Sequence, residues 1–200
     1  MEIIRLALGV FSTNTYILKE DNEYVIIDPA GRANKITPYI DGELKAILLT
    51  HGHFDHIKAV DELYKIYHPD IYLMKEDFEL VDPNKNQILN CMMNLTASIS
   101  SPIKPLKEGV MKIGKFKFEV IKTCGHTKGS CIYVFDNDIF TGDTLFKNSI
   151  GRTDLYGGNE NDLKHSLKIF KEFDHDYIIH PGHEDESTLY EELNNNPFLR

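Results

Sequence analysis

Three histidines and one aspartate lie within six consecutive positions of the sequence, at His51, His53, Asp55 and His56. An apolar segment leads directly into these positions, and a helical pattern of apolar residues follows them. Alternation along an extended chain lets His51 and His53 point the same way, while a turn at Asp55 can aim a second pair of ligands at a neighbouring point. Imidazole nitrogen suits zinc and iron, and a carboxylate can bridge two cations. The segment therefore predicts a hydrolytic site with two adjacent metal ions.

Three further residues could complete the two metal shells: His126, Asp143 and His183. Each of them follows an apolar segment that is predicted to be a strand. A site assembled from the ends of several strands requires this placement, although each residue alone would be weak evidence. All three are therefore candidate ligands.

The elements that position these residues can be predicted from the apolar patterns. Short apolar or alternating segments indicate strands at residues 3–8, 15–18, 24–27, 46–49, 116–121, 131–135 and 139–141. Apolar residues at spacings of three and four indicate helices within 57–67 and 163–170, and a short closing helix is expected at 187–194. Turn residues at 113–115 and 136–138 separate strand pairs at hairpin distances. Helices between strands, together with hairpins, predict a mixed sheet.

Residues 77–107 differ from the rest of the chain because they combine turn-forming residues with a possible helix at 84–95. We interpret this region as an insertion or a lid. The sequence has no repeat at a fixed period and no linker that would divide it. A single domain over residues 1–200 is therefore expected.

The composition narrows the class of protein. A net charge of −9 and a pI near 5.4 disfavour a surface that neutralises nucleic-acid phosphates. The three cysteines are odd in number and none lies in a CxxC pair, which favours a reducing compartment over a disulfide framework. The amino terminus has no export signal, and no apolar run approaches the ~20 residues that cross a bilayer. We expect a cytoplasmic protein that binds neither nucleic acid nor membrane, and leave its oligomeric state open.

The spacing His-x-His-x-Asp-His at residues 51–56 resembles the signature of the metallo-beta-lactamase fold superfamily, and within it the glyoxalase II-like hydrolases. Similar segments at residues 14–16 and 27–31, around the three later ligands and at 196–199 extend the resemblance over nearly the whole chain. The resemblance implies an α+β fold, a four-layer αβ/βα sandwich of two mixed β-sheets flanked by helices. Its site would lie at one edge of the sandwich.

The same resemblance implies a role for each candidate ligand. One metal would be bound by His51, His53 and His126, the second by Asp55, His56 and His183, and Asp143 would bridge the two. Zinc is the expected metal, with iron or manganese as alternatives that the ligand types also accept. Asp28 matches a family aspartate that supports the ligands from behind, or it is only a turn residue before Pro29.

The implied activity is that of a thioesterase of the glyoxalase II type, acting on S-D-lactoylglutathione or a related acyl-thiol. A metal-bridging hydroxide would attack the carbonyl, and Asp55 would orient the water and help to shuttle its proton. Arg152 could hold a glutathione carboxylate, or it could form a salt bridge with Asp154 or Glu160. Because the sequence ends at Arg200 without the carboxy-terminal helical domain of full-length glyoxalase II, a thiol other than glutathione is a further possibility.

Other functions remain open at this point. A mono-iron persulfide dioxygenase shares the same loops, and a lactonase or beta-lactamase would use the same attacking water. A ribonuclease of the superfamily is disfavoured by the acidic charge balance. A non-catalytic metal-binding protein of the same fold would be recognised by the loss of a ligand, and every ligand position is filled.

The remaining histidines and Cys124 are expected outside the metal site. Surface or capping roles are predicted for His68, His165 and His175. His180 lies three residues before His183 and is the alternative ligand at that position. Cys124 would be a poor catalytic thiolate, because the nearby His126 would be occupied by a metal.

Overall fold

The computed structural model describes residues 1–85 and 96–200 and contains two six-stranded sheets. The first sheet has the order β1 (Glu2–Leu8), β2 (Thr13–Glu20), β3 (Glu23–Ile27), β4 (Glu43–Leu48), β5 (Asp70–Met74) and β6 (Lys104–Leu106). Strands β1 to β3 pair antiparallel, whereas β3 to β6 pair parallel. This sheet is therefore mixed, as predicted.

The second sheet is built from the carboxy-terminal half of the chain. It contains β7 (Gly109–Ile113), β8 (Phe116–Lys122), β9 (Cys131–Phe135), β10 (Asp138–Gly142), β13 (Ile178–Pro181) and β14 (Ser187–Thr188), in the order β14-β13-β10-β9-β8-β7. Only β10 and β13 pair parallel. A separate hairpin is formed by β11 (Leu145–Phe146) and β12 (Ser149–Ile150). The hairpins predicted around residues 113–115 and 136–138 are confirmed as β7–β8 and β9–β10.

Five helices lie among the described residues: α1 (Phe54–Ile57), α2 (Val60–Tyr67), α3 (Phe78–Val81), α4 (Glu160–Ser166) and α5 (Leu189–Asn195). Short 3-10 turns occur at Ala33–Lys35, Thr37–Tyr39, Lys75–Asp77 and Leu167–Lys171. Helix α5 begins with a capping box in which Thr188 and Glu191 satisfy each other's backbone N–H groups. No helix among the described residues is long and apolar enough to span a membrane.

Three apolar cores separate four layers. The alternating side chains of β3 contribute to two of these cores. Tyr24 and Ile26 pack on the same side as Leu63 of α2. Val25 and Ile27 point to the opposite side and pack with the second sheet. The outer face of the second sheet is covered by α4 and α5 through Leu163 and Leu189. The predicted four-layer sandwich of two mixed sheets flanked by helices is confirmed.

The sheets bring the candidate ligands to one edge. His51 follows β4, His126 follows β8, and Asp143 and His183 follow β10 and β13. Because β10 and β13 are parallel neighbours, their carboxyl ends lie side by side, and the loops that carry Asp143 and His183 leave the sheet together.

The structure corrects two predictions about local elements. The apolar pattern at 57–67 belongs to two helices, because α1 ends at Ile57 and α2 begins at Val60. The view of residues 77–107 as an insertion or lid is wrong for its described ends: Asp77 is buried, Ile99 packs in the core behind the first sheet, and β6 is an edge strand of that sheet. Asn84 and Lys85 form a turn, and the rest of the helix predicted at 84–95 lies outside the described residues.

A buried asparagine ties the end of the chain to the β11–β12 hairpin. Asn196 is fully buried, and its Nδ2 donates hydrogen bonds to Ser149 O (3.0 Å), Phe146 O (3.3 Å) and Glu192 Oε2 (2.8 Å). Glu192 Oε2 also accepts from Asn148 N (2.8 Å). These bonds fix the hairpin relative to α5.

We expect Asn196→Ala to lower the free energy of unfolding by about 1–3 kcal/mol, since it leaves buried acceptors without a donor. Asn194→Ala is the matched control, because Asn194 is exposed and its Nδ2 donates only to Tyr190 O, so a change within about 0.5 kcal/mol is expected. Urea denaturation of both variants measures the difference. Equal destabilisation by the two substitutions would contradict this account of the hairpin.

Candidate metal centre

Two groups of three potential ligands meet at the predicted edge of the sandwich. The ligand atoms within each group lie within 4.8 Å of one another: His51, His53 and His126 form the first group, and Asp55, His56 and His183 form the second. Asp143 lies between them. Its Oδ2 is 3.4 Å from His126 Nε2 and its Oδ1 is 3.4 Å from His56 Nε2. The structure thus brings together all seven residues that the sequence indicated as ligands.

The outer ring nitrogens of four of these histidines are held by hydrogen bonds, which directs the inner nitrogens toward the centre. His126 Nδ1 donates to Arg152 O (2.7 Å), and His183 Nδ1 donates to Phe11 O (3.1 Å). Because a carbonyl oxygen can only accept, Nδ1 carries the proton in both rings and Nε2 keeps its lone pair. A neutral imidazole with a free Nε2 lone pair is the form that binds a metal ion.

Asp28 holds the other two rings. Its Oδ2 accepts from His56 Nδ1 (2.9 Å) and from Thr50 Oγ1 (2.6 Å), and its Oδ1 accepts from Thr50 N (2.8 Å). Thr50 Oγ1 in turn lies 3.0 Å from His51 Nδ1 and accepts a hydrogen bond from it. One buried carboxylate therefore orients a histidine of each group. The structure places Asp28 behind the ligands, where its role as their support was predicted.

The residues present fit a pair of cations. Within the described part of the chain, His51 Nε2 and Asp143 Oδ1 are buried without a hydrogen-bond partner, and such atoms are costly unless something binds them. Nitrogen and carboxylate ligands in this mixture suit zinc, iron or manganese.

The charges around the two groups differ. Burial and the neighbouring histidines lower the pKa values of His51 and His53 well below the usual range, so both rings stay neutral, as metal ligands must be. Burial also opposes charge on His56, but Asp55 and Asp143 outweigh it and raise the pKa of His56 to about 10. The second group therefore favours a positive charge, which a metal cation would supply.

A cavity of about 360 Å³ opens onto both groups. His53, Asp55, His126, Asp143 and His183 form its polar end. The apolar part of its lining consists of Phe11, Phe54, Phe146, Ile150 and Leu155. A ligand of small-molecule size can therefore reach the candidate metal site while its apolar part contacts aromatic and aliphatic side chains.

Arg152 lines this cavity but is already engaged. Its Nε and NH2 donate to the two carboxylate oxygens of Asp154, both at 2.7 Å, and about half of its side chain is exposed. Glu160, the other predicted partner, pairs with Lys164 instead. An anionic group of a substrate could bind Arg152 only by competing with Asp154. Substrate binding by Arg152 stays a prediction.

The histidines expected outside the site are outside it. His180 lies between Glu186 and Asp138, at 2.7 Å from each, and stacks on Phe140. His68 caps α2 in a left-handed conformation, His165 is exposed and His175 stacks on Tyr177. None of these residues, nor Cys124, belongs to a metal-binding group of the described residues.

Two residues near the start of β2 also shape the site, although no role was predicted for them. Thr13 Oγ1 donates to Asp55 Oδ2 (3.0 Å). Asn14 Nδ2 donates to Pro181 O (3.0 Å) and Glu184 O (2.9 Å), which fixes the loop on both sides of His183. Asn14 lies in one of the family-like segments, but its partners and that of Thr13 are distant in sequence, so no local pattern predicts these contacts.

Asp77 is a third residue that the sequence analysis missed. It is 1% exposed, its Oδ2 accepts from Gly52 N (2.9 Å) and Thr127 Oγ1 (2.7 Å), and its Oδ1 accepts from Gly129 N (2.7 Å). A Cβ at Gly129 would lie 2.7 Å from Asp77 Cγ, so only glycine permits this approach. Burial raises the pKa of Asp77, and these three donors oppose that rise.

The three donors to Asp77 come from the two loops that carry the first ligand group. Gly52 lies between His51 and His53, and Thr127 follows His126. Asp77 therefore fixes the distance between these loops without touching the ligand atoms.

We expect Asp77→Asn to weaken metal binding at the first group by about 10- to 100-fold, as the loss of outer contacts typically does. Competition with a chromophoric chelator measures this affinity. Asp61→Asn is the matched control, since Asp61 also binds a loop, through Ser100 and Ser101, and that loop carries none of the candidate ligands. Unchanged metal affinity in Asp77→Asn would contradict the positioning role.

The sequence as a whole matches known proteins. A model of the Metallo-beta-lactamase superfamily matches residues 8–183. The chain is 36% identical over 210 residues to the probable metallo-hydrolase YqgX of Bacillus subtilis (strain 168), covering 98% of this chain and 96% of that protein. It is 31% identical over 210 residues to the hydroxyacylglutathione hydrolase GloC of Haemophilus influenzae, covering 100% of this chain and 98% of that protein.

Two solved structures have the same fold over nearly the whole chain. The BLEG-1 B3 metallo-beta-lactamase is 34% identical, with a TM-score of 0.92, and the match covers 99% of each chain. TTHA1623 in a di-iron-bound form is 32% identical, with a TM-score of 0.87, and the match covers 98% of this chain and 100% of that one. On the family model, the relatives and the shared fold together, the chain belongs to the metallo-beta-lactamase superfamily.

Proposed function

We propose that this protein is a metal-dependent thioesterase that hydrolyses S-D-lactoylglutathione or a related acyl-thiol. The observation that carries the proposal is the placement of two complete ligand groups, joined by Asp143, at the polar end of one cavity. Two metal ions bound there would activate a water molecule and polarise the substrate carbonyl. In this proposal His51, His53 and His126 hold one ion, and Asp55, His56 and His183 hold the other.

Asp55 is the residue of this chain that we assign to proton movement. It lines the cavity, and its Oδ2 is held by Thr13 Oγ1 and lies 3.3 Å from His183 Nε2. Burial opposes its ionisation, but His56 and His183 outweigh burial and keep the pKa of Asp55 below the usual range. A carboxylate that is ionised, fixed and open to the cavity can orient a water molecule and accept its proton.

The apolar walls of the cavity support a substrate with an uncharged acyl group. Phe11, Phe54 and Phe146 can contact such a group while its carbonyl lies at the polar end. The likeness to the hydroxyacylglutathione hydrolase GloC supports a thioester as the bond that is cleaved. The metal is proposed to be zinc, and the likeness to a protein with a di-iron-bound form supports iron as the alternative.

Hydrolysis of a beta-lactam ring is a second candidate. It is favoured by the likeness to the BLEG-1 B3 metallo-beta-lactamase. The same cavity and ligand groups would serve this reaction, because both reactions require attack of water on a carbonyl carbon. A chromogenic cephalosporin therefore belongs in the same assay as the thioester.

The arrangement of ligands favours hydrolysis over a mono-iron persulfide dioxygenase. A single iron would leave Asp55 and His183 without a metal, although both point toward the site. Iron stoichiometry and oxygen consumption with a persulfide separate the two activities. A non-catalytic metal-binding protein is disfavoured because all seven ligand positions are filled and a cavity opens onto them.

We expect protein loaded with zinc, iron or manganese to hydrolyse S-D-lactoylglutathione, and His53→Ala to lose at least about 100-fold in kcat/KM, since it removes a ligand and not only an outer contact. His165→Ala is the control, because His165 is an exposed histidine outside the site and its loss should leave the rate unchanged. Hydrolysis is followed through release of the free thiol.

The proposal fails if none of the three metal forms hydrolyses this or another thioester. Cleavage of the cephalosporin alone would replace the thioesterase by the beta-lactamase candidate. Oxygen uptake with a persulfide and one iron per chain would replace it by the dioxygenase.

A further inference from the structure

A second cavity, of about 370 Å³, lies between α4 with its following 3-10 turn and the end of the chain. We call it the basic groove. It is lined by Ile150, Lys164, Leu167, Lys168, Lys171, Pro197, Phe198, Leu199 and Arg200. We propose that the basic groove binds the phosphate-bearing part of a thiol whose thioester is cleaved in the catalytic cavity. This inference rests on the proposed thioesterase function.

The side chains that line the groove carry several positive charges. Four of its nine lining residues are cations and none is acidic, in a chain whose net charge is −9. Lys164, Lys168 and Lys171 recur at spacings of four and three, so they lie on one helical face. The catalytic cavity, in contrast, is lined by three acidic residues, Asp55, Asp143 and Glu184, and by one arginine, Arg152. Lys164 is paired with Glu160, so the groove offers Lys168, Lys171 and Arg200 as its principal cations for an anion.

The groove is also apolar along its floor. Leu167 and Leu199 are almost fully buried beneath it, while Phe198 is 53% exposed at its side. The side chain of Phe198 offers an aromatic surface that water covers in the free protein. A ligand that matches both features has an uncharged chain or ring together with several negative charges.

The groove and the catalytic cavity share a wall. Ile150, on strand β12, lines both of them. In the proposed complex, a molecule with its reactive carbonyl beside Asp143 extends past Ile150 and places its other end among the lysines. The number of cations favours phosphates over the two carboxylates of glutathione, and lysine ammonium groups bind phosphate as compact point charges. The ligand class is thus a long, polyphosphorylated thiol of the coenzyme A type.

Binding is tested first, with coenzyme A as the probe. Isothermal titration of the metal-loaded protein should show binding, and Lys168→Glu combined with Lys171→Glu should raise the Kd at least about tenfold by reversing the charge of the groove. The matched control combines Lys112→Glu with Lys117→Glu. These two lysines are exposed and face each other across β7 and β8, so the control makes the same change of net charge elsewhere. Absence of binding to the wild type, or equal binding by all three proteins, overturns the proposal.

Kinetics then tests where the ligand lies relative to the reacting bond. For acetyl coenzyme A, the groove variant should lose at least about tenfold in kcat/KM, mainly through KM. For S-acetyl-N-acetylcysteamine, which carries the same acyl group on a short neutral thiol, its rate should match that of the wild type. A loss of equal size with both substrates would show a structural effect and overturn the proposal.

Glutathione provides the third arm. If the groove variant is impaired with S-D-lactoylglutathione and not with acetyl coenzyme A, the groove binds carboxylates and the phosphate assignment is wrong. If no thioester is cleaved by any of the proteins, the proposed function fails, whereas the coenzyme A titration still decides whether the groove binds a phosphorylated thiol. The two failures are therefore distinguishable.

Discussion

The structure depends on the convergence of seven candidate metal ligands, four of them buried and three partly buried, at one edge of the sandwich. His51, His56 and His126 are at most 2% exposed, and imidazoles and carboxylates buried so close together are unfavourable unless each polar atom has a partner. The outer atoms find theirs in Asp28, Thr50 and two backbone carbonyls. The inner atoms converge in two groups whose spacing suits bound cations. A bound metal pair would thus stabilise the fold as well as provide its chemistry.

The supporting contacts come from every part of the chain. Asn14 at the start of β2 holds the loop of His183, Asp28 after β3 holds the rings of His51 and His56, and Asp77 before α3 holds two loops together. Glycines allow the segments of the site to lie close together. A Cβ at Gly182 would lie 2.8 Å from His56 Cε1, for example. The loops that carry the candidate ligands are therefore held together by specific hydrogen bonds and by close contacts that glycine permits.

Much of this arrangement could be predicted from the sequence. The apolar alternation of β2, β3, β8 and β9 and the spacing at residues 51–56 indicate their structure locally, because period and ligand spacing are properties of neighbouring residues. The later ligands were found because each follows an apolar strand. Asp77, Thr13 and Asn14 are not indicated in this way, since their hydrogen-bond partners lie 25 to 170 positions away in the sequence. Strands β5 and β6 were not predicted. Strand β5 begins three residues after the end of α2, and β6 lies in a segment rich in turn-forming residues.

The proposed function requires that one chain bind two metal ions through these seven residues. Native mass spectrometry of the protein, first stripped of metal and then titrated with zinc, or with iron in the absence of oxygen, measures the number of ions bound per chain. We expect saturation at two ions per chain for the intact protein. Saturation at a single ion, or no binding at all, would contradict this expectation.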